Sequence, residues 1–211
     1  MAVNFNNLNE IQTFLGNFPK SNLLIVSKNR GIEDIDQIYR LGLKHFGENK
    51  VQEAFAKFKN YQHIDKINLH LIGPLQSNKV AQALGLFDVI QSLDRKKIIQ
   101  EILKEKKKNE NFKTKEFYIQ LNIGMENQKS GVSLEDIDSF YAYCLESQIN
   151  IKGLMCIPPN NISPEPFFDK MVIIRNKLDK KLLLSMGMSG DYIKALERGS
   201  DMIRVGSKIF S

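Results

Sequence analysis

The sequence alternates short apolar segments with amphipathic ones along almost its whole length. The apolar segments have the length and β-branched content of strands, and the segments between them repeat apolar residues at spacings of three and four, as helices do. Strands are predicted at 23–27, 44–46, 68–72, 88–92, 116–123, 151–156, 181–186 and 202–205. Helices are predicted near 33–41, 50–58, 77–84, 95–108, 134–147, 165–179 and 190–198.

This alternation decides the fold class. Strands separated by helices pair in parallel through right-handed crossovers. Eight such units that close on themselves form an α/β fold, a single (β/α)8 TIM barrel. An open doubly wound sheet is the alternative, but no G-x-G-x-x-G pattern follows the first strand to support a dinucleotide site. An initial helix near 4–17 is expected to cover the bottom of the barrel. Because no proline-rich or glycine-serine linker interrupts the chain, residues 1–211 are predicted to form one domain.

Composition and charge narrow the class of protein. Of 211 residues, 42% are hydrophobic, which is enough for a core. The sequence has no run of eighteen apolar residues and no secretory signal pattern, so we expect a soluble cytoplasmic protein without membrane contact. The net charge of +6 comes largely from a basic run at 104–115. No nucleic-acid module pattern accompanies that run, so we expect no nucleic-acid partner.

Cysteine and histidine usage argues against disulfide and metal chemistry. Cys144 falls on the apolar side of a helical pattern and Cys156 on a strand, so both are predicted to be packing residues. The histidines at 45, 63 and 70 show no metal-ligand spacing. His70 is interpreted as a hydrogen-bonded barrel residue. Glu48 and Glu126 lie at strand ends, but the sequence assigns neither as an acid or a base.

Polar and glycine-rich residues follow the predicted strands, where a barrel of this class places its functional groups. Gly187 and Ser189 precede a helix, and Gly206 would let backbone amides approach an anion closely. Ser185 or Ser189 can add a hydroxyl group. This pattern favours a phosphate site after the last two strands, although Ser189 could instead be a plain helix N-cap.

A lysine ends the first apolar run, in "LLIVSKNRG" at 23–31. Lys28 could simply reach water past the strand end. A phosphate site, a lysine after strand one and Arg204 on strand eight together suggest pyridoxal 5′-phosphate, whose aldehyde forms a Schiff base with a lysine amine. A guanidinium facing the pyridine nitrogen could only donate a hydrogen bond, which disfavours protonation of that nitrogen.

The motifs "VSK", "FGEN", "VQEA", "HLIGPLQSNK", "SLDR", "KSG", "GLMCIP", "LSMGMS" and "IRVGSKIF" follow one another in this order. Together they resemble, almost end to end, the YggS/PROSC family of pyridoxal phosphate homeostasis proteins. The resemblance implies a single barrel like the N-terminal domain of alanine racemase, with a Schiff base at Lys28. It further implies that Asn49 and Met155 line the ring pocket, that Arg204 meets the ring nitrogen, and that Ser185 or Ser189 with Gly206 and Ser207 hold the phosphate.

The sequence departs from the family pattern at two places. Asn29 follows the lysine where threonine is frequent, and the chain stops at Ser211 where relatives continue with a short basic tail. If that tail helps to cover the cofactor or hand it on, its role is expected to be reduced here or taken by "NQKSG".

Two functions are consistent with this resemblance, an amino-acid racemase and a cofactor homeostasis protein. A PLP-dependent amino-acid racemase needs a second base, which alanine racemase takes as a tyrosine through an additional β domain, and this chain has no room for one after Ser211. Its tyrosines fall mostly on helical patterns, Tyr118 excepted. We therefore predict a monomeric protein without efficient amino-acid catalysis that buffers vitamin B6 cofactor or delivers it to apo PLP-dependent enzymes. The racemase is the alternative.

Overall fold

A computed structural model describes residues 3–109, 111–126 and 128–210. Over those residues eight parallel strands form a closed barrel in chain order, which confirms the predicted TIM barrel. The strands are β1 (Asn22–Val26), β2 (His45–Glu48), β3 (Asn68–Leu71), β4 (Val89–Leu93), β5 (Glu116–Leu121), β6 (Ile151–Cys156), β7 (Leu183–Ser185) and β8 (Met202–Val205). The helices are α1 (Phe5–Leu15), α2 (Ile32–Arg40), α3 (Val51–Phe58), α4 (Val80–Leu86), α5 (Lys96–Lys108), α6 (Ile137–Glu146), α7 (Glu165–Leu178) and α8 (Tyr192–Glu197).

Two predicted elements differ from the structure at their first residues. The helix predicted at 77–84 begins as a 3-10 turn, Ser77–Lys79, before α4. Strand β7 is shorter than the predicted 181–186, because Asp179 accepts from the backbone N–H groups of Lys181 at 2.8 Å and Leu182 at 3.0 Å. That turn keeps the chain out of the sheet until Leu183.

Helix α1 extends along the side of the barrel, so the prediction that it covers the bottom was wrong. At its start, the backbone N–H of Asn4 donates to the carbonyl of Ile209, past the end of β8, at 2.7 Å. At its other end, Gln12 and Leu15 border a cavity with His45 at the start of β2. The helix thus connects the segment after β8 to the opposite end of the barrel.

The main core lies between the strands and the surrounding helices, and the barrel interior is partly polar. Val89, Tyr118 and Met155 form a small apolar cluster separate from the main core. Further polar side chains are buried as well, among them His70, Gln91, Ser185 and Arg204. A polar interior is what places charged and hydrogen-bonding groups beneath the rim of the barrel.

Neither cysteine has the environment of a reactive thiol. Cys144 and Cys156 are both free and buried. Burial raises the pKa of each to about 12, so both stay protonated at neutral pH. The structure agrees with their prediction as packing residues. In the part of the chain that is described, no helix has the length and apolar character needed to cross a membrane.

Candidate functional site

A cavity of about 410 Å³ lies where β1, β7 and β8 end. Its size falls in the range of roughly 300–1,000 Å³ that is common for small-molecule sites. The residues that line it are Val26, Lys28, Asn29, Arg30, Met188, Ser189, Gly190, Arg204, Gly206, Ser207 and Phe210. The structure therefore brings together five of the predicted site residues, namely Lys28, Ser189, Arg204, Gly206 and Ser207.

The lysine side of the cavity is formed by the segment that leaves β1. Ser27 is buried, and its backbone N–H donates to the carbonyl of Gly47 at 3.0 Å, so the segment continues the pairing with β2. Asn29 has a left-handed backbone with φ of 59°, a conformation that asparagine tolerates better than most residues. This turn leaves the exposed Lys28 beside the cavity.

Helix α3 holds this segment from the outside. The ammonium group of Lys57 donates to the backbone carbonyl of Ser27 at 2.7 Å and to Oε1 of Glu48 at 2.7 Å. Glu53 accepts from the backbone N–H of Asn29 at 2.6 Å. The residues on both sides of Lys28 are therefore fixed by one turn of a neighbouring helix.

Sequence reasoning missed Lys57. Its spacing of four residues from Glu53 is typical of an exposed helical ion pair, yet only 9% of its side chain is exposed. Glu48 is fully buried, and this burial raises the pKa of its carboxyl group while the neighbouring Lys57 opposes the rise. The sequence feature that could have indicated Lys57 is Glu48, an acidic residue at the end of a buried strand. A buried carboxylate needs a cation nearby.

Hydrogen-bond donors gather where the segments that follow β7 and β8 border the cavity. The backbone N–H groups of Gly206 and Lys208 both point at the Ser189 hydroxyl oxygen at 3.4 Å, a distance typical of weak hydrogen bonds. A Cβ atom on Gly206 would lie 2.8 Å from the carbonyl oxygen of Val26, so only glycine fits this approach. Ser189 is not the N-cap of α8, because that helix begins at Tyr192 after Asp191. Two amides and a hydroxyl group can hold an oxyanion here.

Arg204 lies at the floor of the cavity. Its guanidinium donates to the Ser185 hydroxyl oxygen at 2.9 Å and to the Cys156 carbonyl oxygen at 2.7 Å. Burial lowers the pKa of Arg204 from its ordinary value, but arginine stays protonated in proteins. Because a guanidinium has five N–H donors and no acceptor, the group can only donate to a ligand in this cavity.

Three predicted site residues lie outside the lining of this cavity. Asn49 borders a neighbouring cavity with Lys50 and Lys79. Met155 is buried inside the barrel, where its side chain packs in the small apolar cluster. Ser185 is buried beneath Arg204, so of the two candidate serines the geometry favours Ser189 for the anion.

The remaining candidate residues do not assemble into a second reactive centre. Glu126 forms an ion pair with Lys129 at 2.6 Å, and Lys129 also donates to the Pro158 carbonyl at 3.2 Å. Asn127 of the "NQKSG" segment and the terminal Ser211 lie outside the described residues. Across the described ranges, no group of three or more His, Cys, Asp or Glu residues could hold a metal ion.

Comparison with known proteins gives a consistent set of relatives. No family model matches the chain. The chain is 38% identical over 197 residues to the pyridoxal phosphate homeostasis protein of Aquifex aeolicus, covering 89% of this chain and 85% of the relative. It is 32% identical over 202 residues to the protein of that name from Escherichia coli K12, covering 89% and 84%.

Solved structures agree with these relatives. PipY of Synechococcus elongatus PCC7942, solved without PLP, matches with a TM-score of 0.89 and 30% identity over 98% of this chain and 99% of that one. The structure of PipY with PLP bound matches with a TM-score of 0.84 and 28% identity over the same shares. Alanine racemase of Clostridium difficile shares the fold, with a TM-score of 0.78, 14% identity and coverage of 97% of this chain and 55% of the racemase.

Proposed function

The chain belongs to the pyridoxal phosphate homeostasis protein family, and we propose that it binds pyridoxal 5′-phosphate covalently at Lys28 and buffers it or delivers it to apo-enzymes. When bound, the cofactor supplies an aldehyde that condenses with an amine, a phosphate group, and a ring nitrogen that accepts hydrogen bonds. The observation that carries the proposal is that Lys28, Arg204 and the donors around Gly206 share one cavity.

The chemistry of these residues fits the parts of the cofactor. The amides of Gly206 and Lys208 with the hydroxyl groups of Ser189 and Ser207 would hold the phosphate, since all are donors and the close approach needs glycine. Arg204 would donate to the ring nitrogen. Lys28 supplies the amine. Its neighbours on both sides are held by α3, which supports a position of the amine beside the cavity.

The lining of the cavity supports retention and transfer rather than turnover. Racemisation needs a base on each face of the cofactor. Among the described residues that line the cavity, Lys28 is the sole side chain that can act as a base, because none is tyrosine, histidine or a carboxylate. Tyr118, the strand tyrosine considered above, is buried inside the barrel, and burial raises its pKa. An amino-acid racemase is therefore the less favoured function.

The proposal extends to how the protein works in the cell. A covalent link that water or a competing amine can reverse allows the cofactor to be retained at low demand and released to an apo-enzyme. We propose that the protein does this in the cytoplasm, as a monomer in which residues 1–211 form a single domain. Both cysteines are free, which is consistent with a reducing compartment.

The proposed function is tested by loading the purified protein with pyridoxal phosphate. We expect a visible absorbance band that borohydride fixes to the protein, and transfer of the cofactor to an apo-enzyme in a coupled assay. In heavy water, alanine, serine and lysine should not gain deuterium at the α carbon over multiple turnovers. Protein that stays colourless with added cofactor would contradict binding, and rapid exchange would favour the racemase.

The phosphate donors are tested by substituting Gly206 with alanine. The added methyl group would lie 2.8 Å from the Val26 carbonyl oxygen and 3.0 Å from its Cβ atom, so the backbone that carries the amide must shift. We expect affinity for pyridoxal phosphate to fall about tenfold or more, since misplaced donors lose charge-assisted hydrogen bonds. Affinity is measured by absorbance titration.

Gly85→Ala is the matched control for this substitution. A methyl group on Gly85, within α4, meets no atom within 4 Å, so the variant should bind the cofactor as the unchanged protein does. Equal affinities for Gly206→Ala and Gly85→Ala would contradict the assignment of the phosphate site.

A further inference from the structure

A continuous chain of buried hydrogen bonds leads from the cavity floor through the barrel. Arg204 donates to the Ser185 hydroxyl oxygen at 2.9 Å, and Ser185 lies 2.6 Å from Oε1 of Gln91. The Gln91 amide nitrogen lies 2.8 Å from Nδ1 of His70, and Nε2 of His70 lies 3.4 Å from Nδ1 of His45. The chain thus joins residues of β8, β7, β4, β3 and β2.

The donor role of Arg204 and the orientation of the Gln91 amide together indicate the direction of these hydrogen bonds. Because Arg204 can only donate, the Ser185 oxygen accepts from it and directs its own hydrogen to Gln91 Oε1. The carbonyl of Gln91 is then an acceptor, and its amide nitrogen donates to Nδ1 of His70. That ring nitrogen must carry no hydrogen, so the hydrogen of neutral His70 is on Nε2.

The side chains that are hydrogen-bonded to one another beneath Arg204 are all neutral. His70 is 2% exposed, and burial together with the nearby His45 lowers the pKa of His70 to about 3. The two groups that Arg204 contacts, a hydroxyl and a carbonyl, are neutral as well. No group in this series of hydrogen bonds carries a negative charge, and the carboxylate that attracts the guanidinium is that of Asp191.

We infer that Ser185, Gln91 and His70 are positioning residues that hold the Arg204 guanidinium at the cavity floor, with neutral His70 protonated on Nε2. In this arrangement the N–H donors of Arg204 that are not bonded to Ser185 or Cys156 would be available to the ring nitrogen of a bound cofactor. The inference rests on the proposed function only for the identity of the group that Arg204 meets. The role of Ser185 thus becomes support of the ring contact instead of phosphate binding.

The inference is tested with Ser185→Ala in the full chain. Removing the hydroxyl leaves a buried donor of Arg204 and the Gln91 carbonyl without their partner. We expect cofactor affinity to fall on the order of tenfold, and the nitrogen-15 shift of a ring-labelled cofactor to change. Ser185→Thr keeps a hydroxyl group and should restore part of both readouts.

Ser92→Ala is the control within the barrel. Ser92 is also a buried strand serine, but its hydroxyl has no hydrogen-bond partner among the described residues, so its loss should change neither readout. If Ser185→Ala does not fold, Gln91→Met is the second variant. It removes the hydrogen bond between Ser185 and Gln91 with a side chain of similar volume, and it should change cofactor affinity and the nitrogen-15 shift in the same way.

The tautomer of His70 is measured independently by nitrogen-15 NMR of the cofactor-free protein. A hydrogen on Nε2 supports the inference, and a hydrogen on Nδ1 overturns it. The inference is also overturned if folded Ser185→Ala keeps the cofactor affinity and the cofactor nitrogen-15 shift of the unchanged protein. Failure of the unchanged protein to take up cofactor would instead contradict the proposed function. The NMR measurement would still decide the direction of the hydrogen bonds between Arg204 and His70.

Discussion

Replacing Lys28 with alanine is expected to abolish the covalent attachment of pyridoxal phosphate completely. The variant should show no absorbance band of the lysine-bound cofactor and no cofactor fixed by borohydride, since alanine has no amine. The fold should be kept, because Lys28 is exposed beyond the end of β1. Surface substitutions of this kind change the midpoint of thermal unfolding by about 2 °C or less in a chain of this size.

Other lysines near the rim are the controls for this experiment. Lys79 borders a different cavity, and Lys129 is held by Glu126 and by the Pro158 carbonyl. Lys79→Ala and Lys129→Ala should therefore keep the absorbance band. A band that persists in Lys28→Ala and disappears in one of these variants would move the attachment site to that lysine.

The strand pattern was the most predictable part of the fold. The predicted strands 151–156 and 202–205 coincide with β6 and β8, because each is a short and mostly buried run of residues. Strand β7 was predicted too long, since the turn at Asp179 depends on a local side-chain hydrogen bond and not on hydrophobic pattern. The path of α1 depends on the contact between Asn4 and Ile209, which lie more than 200 residues apart in the sequence, and no local pattern specifies it.

The candidate site was predictable in type but not in every position. Lys28, Ser189 and Gly206 follow strand ends, so the topology alone brings them to one rim. Within a strand, a step of one residue decides whether a side chain faces the barrel interior or the helices. Ser185 ends β7 facing inward and therefore meets Arg204, a register that sequence reasoning did not resolve.

The buried ion pair below Lys28 gives the largest expected effect on stability. Glu48 has no exposed surface, and its Oε1 accepts from Lys57 at 2.7 Å and from the Ser27 hydroxyl at 2.8 Å. Its Oε2 has no hydrogen-bond partner among the described residues. The negative charge of Glu48 therefore depends mainly on Lys57. Substituting Lys57 with methionine should lower the free energy of unfolding by about 3–5 kcal/mol near neutral pH.

The pH dependence of Lys57→Met has a definite sign. Burial already raises the pKa of Glu48, and without the opposing cation the pKa should rise further. A carboxyl group whose pKa is higher in the folded state than in the unfolded state binds more protons when folded. Its protonated form is favourable at low pH, and that contribution is lost as the pH rises through the folded-state pKa. The loss of unfolding free energy caused by Lys57→Met should thus be largest at neutral pH. It should shrink as the pH is lowered toward the unfolded-state pKa of Glu48.

A double-mutant cycle with Glu48→Gln separates this charge effect from lost packing. The neutral amide removes the buried charge, so adding Glu48→Gln to Lys57→Met should recover part of the stability and remove most of the pH dependence. Urea unfolding of the four proteins at several pH values measures both quantities. A deficit for Lys57→Met that stays below about 1 kcal/mol, the range of an exposed pair, or that is equal at all pH values, would show that Glu48 is not held as a buried anion by Lys57.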